Sequence, residues 1–366
     1  MSWKNKVLDW IEARIGFQEI LRANFTQYRL PGNINIWYTL GSVLITLFAI
    51  QFVTGILLLI FYVPNIDLAF KSVQKIMNEV PFGWLIRYVH AIGANIVILV
   101  LLLHMLSTLF MASYKAPREL TWLAGFMLFL ISLGMCLTGY LLPWSQLSYW
   151  ATTVATNSAS VIPVMGEQLV LFLRGGPDVG QATLGRFFAL HVMGLPLLLG
   201  MLAGLHLFLV RRMGVSVPPF GPDYRPAPPP AEYHHEQYPG GIPFFPNYVI
   251  KDLAVTAFFM TVLVAVVFYA PWLFLPPDAF VPANPFATPA GIKPEWYFLA
   301  AYQTLKATPS ELAGIMIQTV AILFIMLLPF IDRGPERRPG KRPLFLFLYF
   351  AGILIYIGFT VWGHLS

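Results

Sequence analysis

Residues 84–109 read WLIRYVHAIGANIVILVLLLHMLSTL, an apolar run that contains two histidines, His90 and His104. A second run, residues 183–210, reads TLGRFFALHVMGLPLLLGMLAGLHLFLV and contains His191 and His206. Each run is long enough to cross a bilayer, which takes about 20 predominantly apolar residues. Fourteen residues separate the first pair of histidines and fifteen the second. At about 1.5 Å rise per residue, these spacings span roughly 21 to 22 Å along a helix axis. At about 100° per residue, fourteen steps return to within roughly 40° of the starting direction, and fifteen overshoot by about 60°. Each helix therefore offers one imidazole near each membrane face, on roughly the same side. Packed side by side, the helices set His90 opposite His191 and His104 opposite His206. That is the geometry of two bis-histidine haems stacked across a membrane. A single histidine in a membrane helix more often makes a helix–helix hydrogen bond or relays a proton. Four of the chain's seven histidines in two matched pairs favour the two-haem reading.

The composition agrees with a membrane location. The 366-residue chain is 57% hydrophobic and 11% charged, with a mean hydropathy of +0.68. This excludes a soluble globular domain and predicts an all-α integral membrane protein. The net charge of +6 is no nucleic-acid signal, because the basic residues sit in short loops between apolar runs, where they set topology. The lone cysteine, Cys136, excludes an intrachain disulfide. The first thirty residues are amphipathic and charged throughout, unlike a cleavable signal peptide.

Seven apolar segments are expected to span the bilayer: 36–62, 84–109, 121–142, 183–210, 249–273, 311–331 and 344–363. They divide into a four-helix haem-binding bundle, residues 36–216, and a three-helix C-terminal domain, residues 249–366. An interfacial amphipathic segment, residues 1–35, precedes the bundle. A Pro-rich connector, residues 217–248, contains PAPPP and reads as extended chain, with His234 and His235 as ordinary loop residues. With a cytoplasmic N-terminus, sixteen Lys and Arg face the cytoplasm and seven the other side, the distribution that the positive-inside rule favours. His90 and His191 then lie toward the outer face, and His104 and His206 toward the cytoplasm.

Glycines repeat the histidine spacing. Gly41 and Gly55 lie fourteen apart on the first span, as do Gly125 and Gly139 on the third. Ordinary small-residue packing is the plain explanation. Beside the histidines, a missing side chain at each haem depth reads as clearance for a flat macrocycle edge. Two outer-face stretches are also unusual: residues 139–176, aromatic and amphipathic but too short in apolar length to span, and residues 285–307. In the latter, Glu295 sits between Pro294 and Trp296, a half-buried setting that raises a carboxyl pKa and suits coupled proton and electron removal. A capping or interfacial glutamate is the alternative.

These features resemble cytochrome b, the haem-bearing subunit of quinol-oxidising bc-type complexes, over nearly the whole chain. The resemblance rests on the four spaced histidines, GYLLPWSQ from Gly139, and Pro294-Glu295-Trp296-Tyr297. INIWYTLGS, FGWLIRYVHA, KAPRELTW and TLGRFFALH look closest to the chloroplast b-six branch. The fifteen-residue spacing also fits that branch, with Pro196 bending the helix. The three C-terminal spans resemble that complex's separate small subunit, here fused.

The resemblance implies two haem b groups, His90 and His191 ligating the outer and His104 and His206 the inner. Arg87 and Arg186 would neutralise the outer propionates, and Lys115 and Arg118 would lie where the inner ones emerge. Tyr140, Glu295, Tyr297 and Tyr302 match the outer quinol-oxidation pocket, with Glu295 as proton acceptor. Asp252, with Lys251 and Arg211, matches the cytoplasmic quinone-reduction site. Position 39 is Thr39, where the chloroplast branch has the cysteine that attaches an extra haem, so no covalent haem is expected. Ser145 departs from the residue usual in either branch.

The implied activity is that of a quinol–cytochrome c reductase. It oxidises quinol outside, sends one electron to a Rieske iron–sulfur protein and a c-type cytochrome, and sends the other through both haems to quinone, translocating protons. The implied setting is a homodimeric complex in a bacterial inner membrane. A di-haem anchor passing electrons between quinone and a dehydrogenase is the alternative, but it needs neither the Pro-Glu-Trp-Tyr stretch nor three extra spans. A transporter with histidine proton relays fits less well.

Overall fold

The computed structural model describes residues 3–221, 224–227, 238 and 240–366. Among the described residues, six helices are long and apolar enough to cross a membrane: Ile36–Leu59, Gly83–Phe110, Glu119–Leu141, Gln181–Met213, Phe244–Tyr269 and Pro343–Leu365. The remaining expected segment, the sixth in chain order, is shorter. Its helix Glu311–Met326 ends at Leu327, and Leu328–Ile331 continues it. The break has a physical cause: Pro329 in the next turn supplies no backbone N–H. The Trp122 indole N–H lies 3.1 Å from each of the Ile325 and Met326 carbonyls and satisfies the end of the helix. The chain is thus an all-α membrane protein. The near face carries the N-terminus, and the far face lies opposite.

Packing centres on the first two spans. Leu40, Val43, Leu44 and Leu47 interlock with Ile92, Ile96 and Val100, and Leu263 and Val267 of the fifth span close the same cluster. A second contact joins the third and fourth spans through Leu128, Ile131 and Leu199. The most apolar window of the seventh span buries no residue. In a bilayer such apolar exposure is a lipid-facing surface.

The fourth span is not a plain helix. Gln181–Ala189 runs into a π-turn, Leu190–Gly194, and then into Leu195–Met213. Pro196 cannot donate to the carbonyl four residues back, and the wider turn just before it accommodates the mismatch. His191 lies inside this turn, which takes up the fifteenth residue of the spacing. The sequence places a bend at Pro196, just after His191; the structure puts a π-turn there.

Residues 142–180 fold into two helices at the far face, Gln146–Asn157 and Gly166–Arg174. Ser145 explains the first. Its side chain accepts from Ser148 N–H at 3.3 Å, while the Ser148 hydroxyl accepts from Ser145 N–H at 2.8 Å, a capping box. Buried Arg174 ties the pair together, donating to Thr156 Oγ1 at 2.8 Å and to the Thr153 and Pro177 carbonyls at 2.9 Å each.

At the near face the N-terminal helix Trp3–Ile15 buries no residue. Arg29–Leu30 pairs antiparallel with Ile242–Pro243. Connector residues pack down here: Ala227 N–H donates to Pro335 O at 2.8 Å, and Arg337 donates to Val217 O at 2.7 Å. His234 and His235 lie outside the described residues. A latch joins the loop after the second span to the loop before the seventh. Lys115 Nζ donates to Asp332 at 2.7 Å and to Gly334 O at 2.7 Å, and Tyr114 donates to Asp332 at 2.6 Å. Arg342 reaches the same carboxylate.

Candidate functional site

The outer pair meets as the spacing requires: His90 and His191 have ring centroids 6.1 Å apart and planes at 84°. His191 Nδ1 lies 3.0 Å from Met135 O, and His206 Nδ1 lies 3.0 Å from Thr121 O. A carbonyl only accepts, so each Nδ1 carries the proton and each Nε2 keeps a lone pair for a metal. His90 Nδ1 lies 2.9 Å from Thr54 Oγ1, whose own hydroxyl donates to Ile50 O at 2.7 Å. His104 Nδ1 is buried without a hydrogen-bond partner.

Each glycine lies against one of these rings. A Cβ built on Gly41 would stand 3.9 Å from His104 Cε1, and on Gly55 3.2 Å from His90 Cε1. On Gly125 it would stand 2.9 Å from His206 Cε1, and on Gly139 2.4 Å from His191 Cε1. Each missing side chain thus lies at the depth of one histidine ring, where a Cβ would crowd the imidazole and whatever it ligates.

A cavity of about 300 Å³ lies between His90 and His191, lined also by Gly55, Gly139, Arg87, Tyr140, Glu295 and Tyr297. Arg87 is buried, stands 5.2 Å from the Phe280 ring, and has one Nη1 with no hydrogen-bond partner. A buried cation with an open donor needs an anion. Oriented Nε2 atoms, glycine clearance and this guanidinium together fit a haem with its propionates.

A second cavity, of about 180 Å³, holds Pro294, Tyr302, Phe298, Val154 and Gln318, and shares a wall with the first: Cys136, Tyr140, Glu295 and Tyr297 line both. Glu295 precedes the helix Trp296–Ala307 at its N-cap, yet its side chain makes no cap hydrogen bond, so the capping alternative is excluded. Burial pushes its carboxyl up to about 7. Trp296 Nε1 donates to Asn95 Oδ1 at 3.0 Å, and Tyr356 donates to Tyr297 O at 3.3 Å. Tyr302 has the Lys306 ammonium 5.3 Å from its ring.

Other expected residues fare differently. Arg186 is on the surface, donating to the Leu171 and Phe172 carbonyls, and does not line the first cavity. Lys115, expected at the inner propionates, is held by Asp332. Arg118 is buried and donates to Gly214 O at 3.1 Å. Asp252 has a buried Oδ1 without a hydrogen-bond partner, beside Ser42 and Tyr248. Arg211 does not pair with it among the described residues. It donates to Ala23 O at 3.0 Å and lies 3.6 Å from the Tyr28 ring. The sequence reading missed Thr54 and Asn95. For Asn95 the available signal was a polar side chain five residues from a histidine in an apolar span; Thr54 lies on a span without a histidine, and only packing brings it to His90.

Fold and site define a class: a membrane-embedded helical bundle that presents a facing histidine pair beside a carboxylate-walled cavity. Two family descriptions match the chain, "Cytochrome b/b6/petB" over residues 25–214 and "Cytochrome b(C-terminal)/b6/petD" over residues 282–366. Similar curated proteins include cytochrome b of Rickettsia prowazekii, 39% identical over 357 residues, covering 97% of this chain and 86% of that one. Cytochrome b of Allochromatium vinosum is 40% identical over 350 residues, covering 93% and 84%. A chain solved in a hyperthermophilic respiratory Complex III matches with a TM-score of 0.88 and 37% identity, covering 98% of this chain and 91% of that one. The chain belongs to the cytochrome b/b6 family, with both family parts fused in one polypeptide. Membership implies haem b and a redox role in the membrane.

Proposed function

We propose that this chain is the catalytic cytochrome b subunit of a proton-translocating quinol–cytochrome c reductase. It would work in a bacterial inner membrane as a homodimeric complex, with a Rieske iron–sulfur protein and a c-type cytochrome as partners. The near face is then cytoplasmic and the far face outer. The carrying observation is the wall of Cys136, Tyr140, Glu295 and Tyr297 between the cavity of the histidine pair and the cavity of Tyr302.

His90 with His191, and His104 with His206, would hold two haems b, and Arg87 would meet a propionate. Thr39 offers no thiol, so ligation alone holds them. When bound, the haems supply one-electron relays across the membrane. Quinol binds in the second cavity, positioned by Tyr302 and Tyr297. Glu295 accepts a quinol proton: burial sets its pKa about 7, close to the optimum for a general base at neutral pH. One electron leaves to the Rieske partner and the other crosses to quinone at the cytoplasmic face, where Asp252 supplies a proton. The anchor alternative gives the Glu295 wall no task.

The test is pre-steady-state reduction of the outer haem by quinol, with the cytoplasmic site blocked, in Glu295→Gln and wild type. The wild-type rate should rise with pH through about 7, as the carboxylate forms. The Gln variant should be slower by about 10²-fold and lose that dependence. Equal rates at every pH would remove Glu295 from the mechanism.

A further inference from the structure

Asn95 stands on the second span, five residues after His90. It is buried, 5% exposed. Its Nδ2 donates to Ala91 O at 3.2 Å, and its Oδ1 accepts from Trp296 Nε1 at 3.0 Å. A primary amide inside an apolar span is costly unless satisfied, and an aliphatic residue would fill the space without that cost. The amide is held by its own helix with its acceptor aimed at one indole.

That indole belongs to the residue after Glu295. The chain is extended at Glu295 (φ −54°, ψ 151°) and helical from Trp296 onward. No side chain caps this junction; a backbone bond from Phe298 N–H to Glu295 O at 2.8 Å closes the first turn, and the Trp296–Asn95 bond ties that turn to the second span. We propose that Asn95 is a positioning residue for quinol oxidation, which through Trp296 holds Glu295 at the wall between the two cavities. The proposal rests on the reading of Glu295 as proton acceptor. One rigid helix then carries both an outer haem ligand and the anchor of the proton acceptor, which fixes their separation. Titratable groups facing Glu295 are Cys136 and Tyr140 from the third span and Tyr297 on its own helix. Arg87, His90 and His191 face it across the first cavity. None of them replaces the Asn95 contact.

The experiment is a double-mutant cycle in the intact complex: Asn95→Leu, Trp296→Phe and both together, with Glu295→Gln as reference. Outer-haem reduction by quinol is followed against pH, and haem content is measured in each. Asn95→Leu should slow reduction about tenfold to a hundredfold. It should also move the pH midpoint downward, because a released carboxyl gains water. Trp296→Phe should do the same, and the double variant should be no worse than either alone. A purely structural role would lower haem content and leave the midpoint in place, and that result overturns the proposal, as does additivity of the two substitutions. If Glu295→Gln matches wild type at all pH, the reading of Glu295 fails and takes this proposal with it. If Glu295→Gln loses its pH dependence while Asn95→Leu keeps the wild-type rate and midpoint, only the Asn95 proposal fails.

Discussion

At the scale of single residues, the four glycines rank themselves. A methyl group at Gly139 would fall 2.4 Å from the His191 ring, whereas at Gly41 it would make an ordinary contact at 3.9 Å with His104. Gly139→Ala should therefore displace His191 and lose the outer haem, Gly125→Ala should weaken the inner one, and Gly41→Ala should keep both. Haem per polypeptide and the b-type spectra of the two centres check this order. Full haem retention in Gly139→Ala would mean that the helices separate freely, contrary to the close packing of the third and fourth spans. The spacing of these glycines was legible in the sequence, because it repeats that of the histidines. Their partners were not: spacing within one helix says nothing about which atom of the neighbouring helix comes closest.

Among the elements, the spans were legible because about 20 apolar residues have few other uses, and the histidine runs were placed within a few residues. The far-face helices and the π-turn were not. The first need surroundings that a short amphipathic stretch does not reveal. The second is a one-residue change in hydrogen-bond pattern, announced only by Pro196 and a spacing of fifteen. Ser145 is informative here, since it starts the helix whose Ala151, Val154 and Ala155 line the second cavity. Ser145→Ala should cost about 0.5–2 kcal/mol, concentrated in the first turn. Hydrogen exchange at Gln146–Tyr149 should accelerate with haem content unchanged, and Ser145→Gly should fall closer to wild type than Ser145→Ala. Unchanged exchange would show that the bridge between Ser145 and Pro282 suffices to hold the turn.

Over the whole molecule, the near-face latch joins residues 217 apart in sequence, Lys115 and Asp332. No reading along the chain pairs them, because only the packing of the bundle brings the two loops together. Burial alone would raise the Asp332 pKa. Hydrogen bonds from Lys115 and Tyr114, with the charges of Arg342 and Lys115, outweigh it and hold the carboxyl below its ordinary value. A depressed carboxyl contributes stability above the unfolded pKa of 3.8 and loses it as pH falls through the lower folded value. Asp332→Asn, which leaves Lys115 buried without its carboxylate, should cost up to about 3 kcal/mol at neutral pH. The gap from wild type should close toward strongly acid pH in thermal unfolding followed by haem absorbance; a gap constant with pH would show the latch to be unimportant. The latch has company in joining the two halves: Trp122 bonds the end of the sixth span, Trp296 bonds Asn95, and Arg29–Leu30 pairs with Ile242–Pro243. The halves therefore hold each other at the near face and, through Trp296 and Asn95, deeper in the bundle, by contacts that do not depend on the peptide linkage between them. Two co-expressed fragments, residues 1–221 and 240–366, should co-purify with bound haem. One gene or two is then a matter of bookkeeping for the cell, with no bearing on how the bundle stands in the membrane.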